Sequence, residues 1–88
     1  MPFTLSVEQE HIAAGIPKDE ECCPIARALM ARGLSHCVVN GEFARFSTDG
    51  SRYSTQLPDE AITFVHRFDN YMSVSPFEFQ VRPIQIVR

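Results

Sequence analysis

The chain has little that would commit it to a chemistry, and each shortage excludes something. It carries 8 Lys and Arg against 11 Asp and Glu in 88 residues, a net charge of −3. Small nucleic-acid binders draw most of their affinity from neutralising phosphates and are basic as a rule, so the overall balance disfavours that class. The acidic excess is also too small for a mimic of nucleic acid. No apolar run approaches the roughly 18 residues that a membrane-spanning helix needs. Met1-Pro2-Phe3-Thr4-Leu5 lacks the basic start and long apolar stretch of a secretion signal, so the expectation is a protein kept in the cytoplasm. The 3 cysteines are an odd number and Cys22 and Cys23 are adjacent, which argues against a disulfide framework and for a reducing compartment. Gly-rich phosphate loops, internal repeats, low-complexity tracts and interdomain linkers are missing, leaving a single domain over 1–88.

What is present reads as alternating helices and strands. Phe3 to Ser6 fits a short strand, and Ser6-Val7-Glu8-Gln9 fits a capping box opening a helix that Gly15 stops. Pro24 and Gly33 bracket a second helix, Pro24–Arg32. Ile25, Ala28 and Leu29 form its buried stripe, Ala26 and Met30 broaden it, and Arg27 and Arg32 are left to solvent. Asn40-Gly41 and Asp49-Gly50 are both favoured type I′ hairpin turns and predict a three-stranded meander over about 36–39, 42–48 and 51–57. In that register Val38 faces Phe43 and Phe46 faces Tyr53. Cys37, Val39, Ala44, Phe46, Tyr53, Thr55 and Leu57 then share the core face, and His36, Val38, Phe43, Arg45, Ser54 and Gln56 share the other. Pro58 starts a third helix with Ala61, Phe64, Val65 and Phe68 as its stripe, ending near Asp69-Asn70. Phe77, Phe79 and Val81 alternate inward on a further strand, which Ile84 to Val87 extends along an edge. The expected fold class is α+β, with a mostly antiparallel sheet (the meander plus terminal strands) and two or three short helices packed on one face.

Cys22, Cys23, His36, Cys37, His11 and His66 are the candidate metal ligands, but structural zinc sites use spaced pairs, and both Cys22-Cys23 and His36-Cys37 are adjacent. Adjacent strand residues point to opposite faces, so His36 and Cys37 do not share an ion, and no metal or other cofactor is expected. Cys23 at a helix start is a conceivable nucleophile, yet Asp19-Glu20-Glu21 before it oppose ionisation and no histidine is tied to it. His66 and Asp69 stand three apart and read as a local helical pair. An enzyme is not expected.

Two features mark candidate partner-binding surfaces. Val38, Phe43 and Arg45 place apolar, aromatic and arginine side chains together on the face opposite the core, a composition typical of interface hot spots. Asp19, Glu20 and Glu21 form an acidic loop that either meets a basic partner or serves the N-terminus of the helix after it. A homodimer through the C-terminal strand, or burial of that strand in its own sheet, is a further expectation.

His11-Ile12-x-x-Gly15-Ile16-Pro17, followed by Cys23-Pro24-Ile25-Ala26-x-Ala28-Leu29, resembles a group of short proteins encoded by bacteriophages and prophages. Leu57-Pro58-x-Glu60-Ala61, Phe64, Phe68-Asp69 and Pro76-Phe77-x-Phe79 are similar to their C-terminal half, so the likeness covers about residues 7–82. Members often form C-x2-C with a cysteine where this chain has Glu20. The group carries no assigned activity or catalytic residue. The resemblance implies a phage-derived protein-binding module of the bacterial cytoplasm that inhibits a host protein or a defence complex such as a CRISPR–Cas effector. The alternatives are a nucleic-acid-binding accessory protein using Arg45, Arg52, Arg67, Arg82 and Arg88, and a metal- or thiol-dependent protein using Cys22 and Cys23.

Overall fold

The order of elements follows from local chemistry, and their grouping into sheets does not. The computed structural model describes residues 2–86. Its elements are β1 (Phe3–Val7), α1 (Gln9–Ala14), α2 (Pro24–Ala31), β2 (Ser35–Val39), β3 (Phe43–Thr48), β4 (Ser51–Gln56), α3 (Asp59–Asp69), β5 (Phe77–Val81) and β6 (Ile84–Gln85). The fold is α+β and all strand pairs are antiparallel. The strands form two sheets: β1 pairs with β5, and the larger sheet runs β2-β3-β4-β6. The C-terminal strand thus lies in its own chain's sheet, with Ser54 opposite Ile84. Val87, the last residue of the expected edge segment, lies outside the described residues.

Helix α2 forms where its signals stand. Pro24 occupies the first turn, where a missing N–H costs nothing. Gly33 takes φ +90°, and Gly33 and Leu34 donate to the carbonyls of Met30 and Leu29, closing a Schellman motif. Two side chains depart from expectation. Met30 is 41 % exposed rather than part of the buried stripe, and Arg27 is half-buried rather than solvated.

Helix α1 starts two residues later than the Ser6 capping box predicts. Ser6 and Val7 remain in β1, opposite Glu78 and Phe77, so the N-cap passes to Glu8, whose N–H donates to His11 Nδ1 at 2.9 Å. Gly15 does end α1, in extended backbone; what requires glycine there is space, because a Cβ would meet Pro24 Cγ and Cδ at 2.7 Å. Pro58 is the N-cap of α3 rather than its first residue.

The Asp49-Gly50 turn is as expected, with φ of +54° and +78° and Phe46 opposite Tyr53. The Asn40-Gly41 turn is displaced by one residue. Asn40 Oδ1 accepts the N–H groups of Glu42 and Phe43 at 2.7 and 2.8 Å, and the Asn40 N–H bonds to the Phe43 carbonyl, so Gly41 and Glu42 occupy the tip. The side chain's own turn outcompetes the type I′ geometry. Val39 now faces Ala44 and Val38 faces Arg45, which corrects the expected Val38–Phe43 pair; Phe43 faces Gln56. A register change of two leaves Val38, Phe43 and Arg45 on their expected face.

Inward residues of both sheets, α2 and α3 bury one continuous cluster containing Leu5, Ile25, Leu29, Val39, Phe46, Phe64 and Phe79, and the half-buried Ile12 of α1 packs against it. Phe46 joins the sheets, meeting Phe3 edge-on at 6.3 Å and stacking on Tyr53 at 5.8 Å. Phe64 of α3 stacks on Phe77 of β5 at 4.7 Å. Among the described residues no helix is long and apolar enough to cross a membrane.

Candidate binding face

Because the core lies on one side of the larger sheet, the other side stands open. Cross-strand partners project to the same face, and one row crosses all four strands: Val38 opposite Arg45, Arg45 opposite Ser54, Ser54 opposite Ile84. Phe43 lies beside this row, with the Arg45 guanidinium carbon 4.7 Å from its ring centroid. Val38 and Phe43 are half-buried, Arg45 is exposed, and Ile84 is 74 % exposed. The sequence-derived trio therefore does share a face. Ile84 was missed because pairing of β6 with β4 is a long-range event.

Clefts flank the face. One of about 660 Å³ is walled by Phe43, Ile62, Ile84 and Ile86, with Glu42, Ser54, Gln56 and Gln85 at its polar rim. Another of about 560 Å³ runs between α2 and β2 and is lined by Glu21, Cys22, Arg27, Met30, His36, Cys37, Val38 and Arg52. A bulge between Ser35 and Val38, with His36 at φ +51°, breaks the alternation there.

The acidic loop divides. Glu21 joins Val38 in the second cleft. Asp19 and Glu20 line a smaller one of about 250 Å³ with Cys23, Asn40 and Asp69. Their polar groups hold the loop: Asp19 Oδ1 accepts the Glu21 N–H at 3.0 Å, and the Glu20 carbonyl accepts the Val39 N–H at 2.8 Å, covering part of the free β2 edge. No acidic residue falls in the first turn of α2.

Two of the three thiols, Cys23 and Cys37, are buried. Burial pushes the Cys23 thiol up, Asp69 adds to this, and the Ile25 and Ala26 amides oppose it without reversing it. Burial also pushes Cys37 up to about 11. Both are protonated near neutral pH, and the thiolate is the reactive form. Among the described residues no three His, Cys, Asp or Glu side chains converge on a metal position. Asp69 is engaged elsewhere than with His66, accepting the Lys18 N–H at 2.9 Å.

The arginines of the nucleic-acid alternative are dispersed. Arg45 and Arg52 share the open face, whereas Arg67 donates from Nε and Nη2 to the Ser73 carbonyl beyond α3. Arg82 follows β5, and Arg88 lies outside the described residues. Among the described residues no Arg or Lys lies within ion-pair distance of a carboxylate, so the cations of the face have no carboxylate partner there.

Comparison with protein-family models, curated proteins and solved structures finds no match for this chain. The open face has to be read on its own chemistry.

Proposed function

We propose that this chain is a small protein-binding module of bacteriophage or prophage origin. It acts in the bacterial cytoplasm by covering a working surface of a host protein or a defence complex such as a CRISPR–Cas effector. The origin rests on the sequence likeness. The binding role rests on the uncovered row Val38–Arg45–Ser54–Ile84 with Phe43 beside it. An apolar and arginine-bearing face that the chain's own helices leave open has the composition of a protein interface.

The test is affinity capture from host lysate with the tagged protein, in parallel with Phe43→Ala and Arg45→Glu, before and after nuclease treatment. A stoichiometric partner that survives nuclease and is lost with both variants supports the reading. Capture that disappears with nuclease transfers it to nucleic-acid binding. Undiminished capture by both folded variants removes the open face from the function.

A further inference from the structure

The cleft between α2 and β2 contains an unsatisfied cation. Arg27 is the sole charged residue of α2, and its Nε–H is fully buried without a hydrogen-bond partner. A buried donor left unpaired is costly, and more so when it belongs to a charged group. Arg52 reaches the same cleft from β4 and His36 from the β2 bulge. Among the described residues no carboxylate forms an ion pair with either arginine. Met30 and Val38 add apolar surface to the lining, and Met30 is 41 % exposed. At about 560 Å³ the cleft lies within the ordinary size range of ligand sites, about 300–1,000 Å³.

We infer that this cleft receives an acidic segment of a protein partner, with Arg27 and Arg52 taking one carboxylate and Met30 and Val38 taking the apolar side chain next to it. The inference rests on the protein-binding reading and names the chemistry of the partner. Guanidinium groups favour carboxylates and phosphates alike through paired N–H donors. The surroundings separate the two. Glu21 stands in the cleft, and Asp19 and Glu20 precede it in the same loop. A continuous phosphate backbone would run its repeated charges along that loop, whereas a single carboxylate on an apolar stem brings one charge to the two arginines and sets it against Glu21 alone. Methionine adapts to apolar side chains of varied shape, which suits a lining that must accept whichever residue accompanies the acid.

The experiment is selection of a random-sequence peptide library on the immobilised full-length protein, followed by titration of the best peptide. Expected is enrichment of Asp or Glu beside Leu, Met or Phe. Binding should weaken at least about tenfold in Arg27→Gln and in Arg52→Gln, and on replacing the peptide's acid by its amide. Arg82→Gln, outside the cleft, should leave it unchanged. Arg52 is exposed, so its variant keeps the test decisive if Arg27→Gln destabilises the fold. Three results would overturn the inference: no acidic enrichment, binding indifferent to both arginine variants, or a single-stranded oligonucleotide that binds through Arg27 and Arg52 in place of peptides. Peptides without acids that depend on Phe43 and not on Arg27 would sink this site while leaving the protein-binding reading intact.

Discussion

Arg45 lies over the ring of Phe43, its guanidinium carbon 4.7 Å from the ring centroid, two residues apart on one face of β3. The arginine shields an aromatic that faces away from the core, so the pair contributes little to folding and much to the surface. Phe46, on the opposite face of the same strand, is fully buried.

That contrast makes the first prediction. Phe46→Ala should cost about 3–5 kcal/mol, enough to threaten folding of a small domain. Phe43→Ala should cost about 1 kcal/mol, because the ring is half-buried and its cation contact is exposed. Urea denaturation of both variants measures the difference. A Phe43→Ala protein that unfolds would place this ring in the core and remove the binding face.

Gly15 carries the second. Gly15→Ala forces a Cβ to within 2.7 Å of two Pro24 ring atoms. The α1–α2 packing must shift, at about 1–3 kcal/mol. Gly41→Ala meets nothing within 4 Å and should stay within about 0.5 kcal/mol of wild type. Equal midpoint shifts for the two in urea would show that the close approach does not matter.

Asn40 supplies the third. Its Oδ1 accepts two backbone N–H groups at the β2–β3 tip. Asn40→Ala should lose about 1 kcal/mol, and Asn40→Asp, which keeps the acceptor, should lose less. Amide exchange at Glu42 and Phe43 reads this directly: protection should fall in the alanine variant and persist in the aspartate one.

The fourth concerns alkaline pH. The Cys37 thiol is pushed by burial from 9.0 to about 11, so the folded state holds its proton more tightly than the unfolded chain. The stabilisation is complete below about pH 9 and is lost as pH rises through about 11. Cys37 sits on an edge strand, where solvent relaxation limits the loss to about 1–2 kcal/mol. Denaturation of wild type and Cys37→Ala under reducing conditions, across that interval, should show wild type losing more. Parallel pH profiles would show that the thiol is not the group responsible.

Much of the candidate site was legible before folding, and its gaps have physical causes. Val38, Phe43 and Arg45 fall on one face because strand alternation survives a register change of two. Their partners were misassigned because Asn40 closes a side-chain turn instead of the type I′ turn its neighbour Gly41 favours. Arg27 was assigned to solvent, since helical periodicity places a residue on a helix and says nothing about the β2 edge that comes to lie beside it. Its isolation as the one charge within Pro24–Ala31 was the available signal.

The sequence by itself determined what is decided within a few residues: the Pro24 start and Gly33 stop of α2, the Asp49-Gly50 turn, the inward alternation of Phe77, Phe79 and Val81, and the α+β class. These depend on dihedral preference and on periodicity, which a short stretch of chain carries. Only the tertiary structure decided that β1 and β5 form a sheet of their own, that β6 continues the meander beyond β4, and that Ser6 belongs to a strand rather than to a helix cap. Those outcomes depend on pairings between residues more than seventy positions apart in the case of Phe3 and Val81, or on which exposed edge a late segment reaches first. Local preference cannot rank such pairings, because hydrogen bonds of one strand edge fit any other and burial of the shared core selects among them.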